Sequence, residues 1–282
     1  MEIHRVGVVG LGTMGAGIAQ ISIQAGHDTV GREVSGELAQ RGRATIEHYL
    51  GRAVEKGRLG GAERDAVLER LKLTTELGEL ADCDLVIEAV LEELDLKREV
   101  FGELDRICRP DAVLATNTSA LSVAEIAEAT QRPVRVIGMH FFNPAPVLPL
   151  VEIVRAPKSS DAALRAAYEW AERAGKQPVI CNDTPGFIVN RILIPLLNDC
   201  VRALDETGVQ PEDIDKAMTN GAGWPMGPCA LLDLIGIDVH IHASEALHSK
   251  LDEDRMAPPE RLLQMEEEGR LGRKSGRGFF DY

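Results

Sequence analysis

Gly10-Leu11-Gly12-Thr13-Met14-Gly15 follows a short apolar run, RVGVV, and precedes an apolar stretch through Ile18, Ala19, Ile21 and Ile23. The pattern G-x-G-x-x-G is weak alone, but between a strand and a helix it constrains the whole N-terminal part of the chain. Gly10 permits a tight turn, Gly12 lets backbone approach a pyrophosphate, and Gly15 lets helix and strand pack closely. Thr13 and Met14 open the helix, whose N-terminal N–H groups can face phosphates without a lysine. Gly26 ends that helix, and a second strand over residues 28–33 completes a strand–helix–strand opening. It closes at Glu33, 23 residues after Gly10. A carboxylate there binds the ribose hydroxyls of NAD and repels the 2′-phosphate of NADP. Arg32 is the contrary sign. Strand alternation sends Arg32 and Glu33 to opposite sides, and the balance favours NAD.

The same alternation continues. Residues 35–56 and 61–71 read as helices with charged faces, 83–90 as a buried strand and 94–108 as a helix. A strand is expected within residues 112–119. A short helix over 122–129 has Ser122 as N-cap and Glu125 three residues on, the pattern of a capping box. Strands follow at 134–142 and 150–156, a helix at 161–175 and a strand at 178–181. Beyond Pro185 no convincing strand is found; helical stretches cover 188–204, 211–220, 230–249 and 259–269. The expected architecture is α/β: an N-terminal Rossmann-type domain with a mainly parallel sheet, residues 1–184, and an all-helical C-terminal domain, residues 185–282.

Composition narrows the function. With 282 residues the chain can bury a sizeable core. Its formal charge of −14 makes nucleic acid and anionic membranes poor partners, so phosphorylated ligands must be held by local groups. The five cysteines are scattered singly, as in reduced thiols of a cytoplasmic protein. No apolar run reaches the ~18 residues needed to span a membrane. The N-terminus enters a strand directly, without a signal-like apolar stretch, and a cytoplasmic location is expected. His240 and His242, two apart on a helix, do not share a face, and no metal site is expected.

A second constellation lies beyond the glycine loop. It comprises Asn117-Thr118-Ser119, the run Gly138-Met139-His140-Phe141-Phe142-Asn143-Pro144, Glu152, and Asn182-Asp183-Thr184-Pro185-Gly186-Phe187 with Asn190-Arg191. In order and spacing, through to Lys274-Ser275-Gly276-x-Gly278-Phe279, these segments closely resemble the 3-hydroxyacyl-CoA dehydrogenase family, in particular its single-domain bacterial 3-hydroxybutyryl-CoA type. The likeness covers essentially the whole chain, and His-Phe-Phe-Asn-Pro with a glutamate twelve residues after the histidine is its most specific part. Moving hydride between a secondary alcohol and nicotinamide also requires a proton to leave or reach the oxygen. Histidine suits that task, and a carboxylate on its other nitrogen fixes the tautomer and stabilises the imidazolium.

The resemblance implies His140 as acid/base and Glu152 as its partner. It implies Ser119 and Asn190 as groups that hydrogen-bond the reacting oxygen and the thioester side of the substrate. Asn117 and Asn143 are implied near the cofactor, Glu92 and Lys97 near its nicotinamide-side ribose, and Lys274 as a C-terminal lysine reaching it. Lys56 matches a lysine that meets the CoA phosphates, although a solvated helix lysine explains it equally well. The implied partner is an acyl-CoA thioester, and the implied assembly a homodimer joined through the helical domain. Gly31, in a strand where the family usually carries β-branched residues, is expected to mark a close backbone approach. Tyr49 stands where the family has a serine near CoA. Two other readings compete. The 3-hydroxyisobutyrate and 6-phosphogluconate dehydrogenases carry a similar glycine loop but use a lysine on the first long helix of the second domain, and FIVNRILIPLLNDC has none. A non-catalytic relative such as a lens crystallin would not need Ser119, His140, Glu152 and Asn190 together.

Overall fold

Val6, Val8, Val9, Leu85, Val86, Ile87, Val113, Leu114, Ile137 and Met139 are all fully buried. Strands this uniformly apolar must be covered on both faces, and the helices between them supply the cover. The computed structural model describes residues 1–282 and divides into two compact units, Met1–Thr184 and Pro185–Tyr282.

The first unit is an eight-stranded sheet. Its strands are β1 (Arg5–Val9), β2 (Asp28–Arg32), β3 (Leu71–Thr74), β4 (Leu85–Glu88), β5 (Val113–Thr116), β6 (Val136–Phe141), β7 (Leu150–Arg155) and β8 (Gln177–Asn182). The spatial order is β3-β2-β1-β4-β5-β6-β7-β8. All neighbours are parallel except β6 and β7, which form an antiparallel pair. The helices are α1 (Thr13–Gln24), α2 (Gly36–Glu55), α3 (Gly61–Leu68), α4 (Leu94–Ile107), α5 (Val123–Ala127) and α6 (Asp161–Arg173). The chain passes β1, α1, β2 and later crosses to β4 on the other side of β1. That reversal of strand order opens the crevice at the C-terminal strand ends where α/β sheets bind ligands.

The Leu11 side chain explains the glycine in the second strand and one in α2. A Cβ on Gly31 would lie 2.8 Å from Leu11 Cδ1, and one on Gly42 of α2 would lie 2.6 Å from Leu11 Cβ. The Leu11 side chain is buried against both, so Gly31 marks a close approach by a side chain rather than by backbone.

The second unit is helical: α7 (Val189–Thr207), α8 (Pro211–Lys216), α9 (Pro228–Ile235), α10 (Ile237–Leu251) and α11 (Glu260–Glu267). Leu197, Val201, Leu232, Ile237, Ile241, Leu262 and Met265 form its core. Inside it, Asn198 Nδ2 donates to the carbonyls of Arg255, Met256 and Ala257, its Oδ1 accepts from His240 Nε2, and its amide also bonds the Ser244 hydroxyl. Asp233 accepts from the N–H groups of Phe279 and Phe280 and from the Tyr282 hydroxyl, tying the C-terminal segment to α9.

Three local expectations change. The helix expected over 61–71 stops at Leu68, and residues 71–74 form β3, whose hydrogen bonds come from β2 rather than from its own neighbourhood in sequence. The single helix expected over 230–249 is two, α9 and α10, broken at Gly236 (φ +104°), a conformation that ends a helix. Before α5, Ser122 accepts from the Glu125 N–H, but the reciprocal half of the capping box is absent. Asp183 instead accepts from the Ser122 hydroxyl and the Ala124 N–H.

Candidate active site

The antiparallel register of β6 and β7 sets His140 directly opposite Glu152. Their side chains meet, with His140 Nδ1 2.7 Å from Glu152 Oε2. Both are buried, at 8% and 1% side-chain exposure. The Phe142 ring lies 4.5 Å from the imidazole, centroid to centroid. A carboxylate at Nδ1 requires that nitrogen to carry hydrogen, so proton exchange with a ligand falls to Nε2.

The ends of β4 and β5 hold a second group. Asn117 donates its N–H to Glu88 O, and its side-chain oxygen accepts from the N–H of Phe141, next to His140. Ser119 is exposed two residues further on. Glu92 Oε1 accepts from Ser119 N at 2.8 Å, Ser119 Oγ at 3.2 Å, Thr118 Oγ1 at 2.6 Å and Ala120 N at 3.2 Å. Burial opposes the charge on Glu92, but these donors and the Lys97 ammonium outweigh it and hold the carboxyl below the usual range. Lys97 is fully buried and reaches Glu88 Oε1 at 2.7 Å, Asn117 O at 3.2 Å and Glu92 Oε2 at 3.4 Å. Ser119, Asn117, Glu92, Lys97 and the His140–Glu152 pair therefore form one neighbourhood.

The glycine loop forms another edge of the same unit. Gly10 (φ +87°) makes the turn, and a Cβ on Gly15 would overlap the Gly10 carbonyl. Around Gly12 there is open space, and α1 has no side-chain cap, so its first N–H groups are free to meet an anion. Glu33 Oε1 accepts from Leu11 N at 2.6 Å and Oε2 from Val34 N at 3.0 Å, which anchors the carboxylate beside the loop. Arg32 turns away, its Nε donating to Thr75 O. A cleft of about 470 Å³ runs from Gly12, Thr13 and Glu33 past Arg41 and Tyr49 to Asn143. These residues fit a dinucleotide: an open glycine, uncapped helix donors and a fixed carboxylate at the second strand.

Residues 5–184 match the NAD-binding domain of the 3-hydroxyacyl-CoA dehydrogenases, and residues 186–282 match the C-terminal domain of the same enzymes. The chain belongs to the 3-hydroxyacyl-CoA dehydrogenase family. A 3-hydroxybutyryl-CoA dehydrogenase of Mycobacterium tuberculosis is 46% identical, over 99% of each chain. A probable 3-hydroxybutyryl-CoA dehydrogenase of Deinococcus radiodurans is 44% identical over 99% of this chain and 100% of its own. The crystal structure of (S)-3-hydroxybutyryl-CoA dehydrogenase from Ralstonia eutropha superposes with a TM-score of 0.96 at 39% identity, covering 100% of this chain and 99% of that one. The protein is thus a dehydrogenase of this family with a nicotinamide cofactor domain.

Other family positions occupy the C-terminal end of α2 and the helical unit. Lys56 caps the C-terminal end of α2, exposed and without an ion-pair partner. Asn190 is half-buried in the first turn of α7, and Lys274 pairs with Asp238, both in the helical unit. Several residues that shape the site were not singled out from sequence. Glu88 is fully buried and accepts from Lys97, Thr116 Oγ1 and Val90 N. The signal was available: a carboxylate inside the apolar run CDLVIEAV requires a buried partner. Lys176 is buried too, and its ammonium binds the carbonyls of Ala145 and Leu148, bracing the loop after Asn143. Burial lowers its pKa.

Proposed function

We propose that the protein interconverts a short-chain L-3-hydroxyacyl-CoA, such as 3-hydroxybutyryl-CoA, and the corresponding 3-oxoacyl-CoA, using NAD. The observation that carries this reading is the buried 2.7 Å contact between His140 Nδ1 and Glu152 Oε2 at facing positions of β6 and β7. The names of the full-length relatives favour the four-carbon substrate. When bound, NAD would supply the hydride acceptor for C3 of the hydroxyacyl group, and NADH the hydride donor for the reverse reaction. His140 Nε2 takes the hydroxyl proton in oxidation and gives it back in reduction. Glu152 holds the ring orientation and stabilises the imidazolium. Ser119 hydrogen-bonds the reacting oxygen, where donors lower the cost of developing negative charge. Asn190 is the group of the helical domain assigned to the thioester side.

Gly10, Gly12, Thr13, Met14 and Gly15 bind the pyrophosphate, and Glu33 selects NAD through the ribose hydroxyls. Asn117, Asn143, Glu92 and Lys274 complete the cofactor's surroundings, and Lys56 meets a CoA phosphate. Residues 1–184 serve as the cofactor domain and 185–282 as the substrate and dimerisation domain of a cytoplasmic homodimer acting in fatty-acid metabolism. Steady-state reduction of acetoacetyl-CoA with NADH and with NADPH tests the reading. Turnover with NADH should dominate, and Glu33→Ser should weaken NADH binding and narrow the gap to NADPH. No turnover of any 3-oxoacyl-CoA would reject the activity, whereas unchanged discrimination in Glu33→Ser would reject only the role of Glu33.

A further inference from the structure

Two carboxylates share one buried ammonium beneath the Ser119 loop. Lys97 has three N–H donors, and its three close oxygens are Glu88 Oε1, Asn117 O and Glu92 Oε2. Glu88, at the last position of β4, itself accepts three hydrogen bonds: Lys97 and Val90 N donate to Oε1 and Thr116 Oγ1 to Oε2, each at 2.7 Å. Neither Glu88 nor Lys97 has any exposed side-chain surface. Glu92 lies between this pair and the loop, with one oxygen toward Lys97 and the other accepting from Thr118, Ser119 and Ala120.

We propose that Glu88 is a positioning residue for the reaction: by holding the Lys97 ammonium, it leaves Glu92 free to fix the Ser119 loop in its reactive place. The inference rests on the assignment of Ser119 to the substrate oxygen. Its physical basis is competition. Lys97 lies 2.7 Å from Glu88 but 3.4 Å from Glu92, so Glu88 takes the larger share of the positive charge. With Glu88 neutral, Glu92 becomes the only anionic partner of a buried cation. The ammonium is drawn toward it, and Glu92 loosens its hold on the Ser119 and Ala120 N–H groups. Lys97 would also pull at Asn117, whose side chain braces Phe141 beside His140. A buried ion pair is in general a poor source of net stability, since an apolar pair of similar volume often does as well. Its distinctive contribution here is geometric.

Glu88→Gln, Glu88→Gln with Lys97→Met, and Ser119→Ala provide the test, read by kcat and KM for acetoacetyl-CoA, NADH affinity by fluorescence, and Tm. Glu88→Gln strands the cation, so both Tm and kcat should fall, kcat by about tenfold or more, as small misplacements of reacting groups do. The double variant removes the uncompensated charge, and with it the ammonium that competes for Glu92, so at saturating NADH its kcat should recover together with its Tm. A merely structural pair would lower Tm in Glu88→Gln but leave kcat at the parental value well below that Tm. That result would overturn the proposal, and a double variant of parental Tm whose kcat stays low would equally overturn it. If Glu88→Gln does not fold, Thr116→Val removes one bond to the same carboxylate without exposing a charge. It should lower kcat at unchanged NADH affinity, and parental kcat there would also overturn the proposal. A damaged Ser119→Ala beside an undamaged Glu88→Gln would reject the strut alone, whereas an undamaged Ser119→Ala would reject the Ser119 assignment and the strut with it.

Discussion

At the scale of residues, the chemistry turns on a proton carried by one imidazole and oriented by one carboxylate. Glu152→Gln keeps the size and a hydrogen-bonding group at Nδ1 but removes the charge that stabilises the imidazolium. It should lower kcat for acetoacetyl-CoA reduction by roughly 10²-fold or more, the range of positioned acid/base groups. NADH affinity should change little, because the Glu33 carboxylate and the α1 N-terminus are untouched. His140→Gln should be at least as damaging. The double variant should be little worse than the worse single one, since groups acting as a unit are not additive. Additive losses, or normal turnover in Glu152→Gln, would show that the 2.7 Å contact is structural only.

Among elements, the helical unit contains a pH-sensitive joint. His240 of α10 is 2% exposed, and its Nε2 contacts Asn198 Oδ1 of α7 at 2.8 Å. Burial lowers its pKa from 6.5 to about 4. Folding therefore favours the neutral ring. The stabilisation is fully present above the unfolded value of 6.5 and is lost as pH falls from there through about 4. At about 1.4 kcal/mol per unit, the limit is of order 3 kcal/mol. The Tm of the protein should fall as pH drops through this window, and in His240→Gln the decline should be shallower. Parallel Tm–pH curves for the two proteins would assign the acid sensitivity to other groups.

For the whole molecule, the outstanding quantity is the number of chains in the active species. In the apolar run that opens the helical unit, Phe187, Ile194 and Leu197 are buried, but Ile192 of α7 is 60% exposed. Leu234 of α9 and Val239 of α10 are also exposed, at 49% and 50%. Large apolar side chains exposed on three helices of one unit suit an interface between copies. Light scattering at micromolar concentration should return twice the chain mass, and Ile192→Glu should shift the population toward monomer. A monomer mass for the unaltered protein would remove the dimer from the proposed function.

The sequence by itself determined the elements whose signals are local. The glycine loop between a buried strand and α1, the N-cap at Ser122, and the alternation that makes the sheet mainly parallel all rest on contacts among near neighbours in the chain. It also supplied His140 and Glu152 as a pair through family likeness. Only tertiary structure decided what depends on distant partners. The β6–β7 register puts His140 opposite Glu152, β2 makes residues 71–74 a strand rather than a helix end, and Leu11 requires glycine at both 31 and 42. Glu88 and Lys97 are the clearest case. Nine residues apart in sequence, each reads as an ordinary charge, yet burial demands that they meet, because an unpaired charge in the core costs more than the fold can spare. Periodicity records which face of an element is apolar. It carries no information about which buried charge answers another, since that is set by where the fold brings the end of β4, Lys97 of α4 and the loop beyond β5.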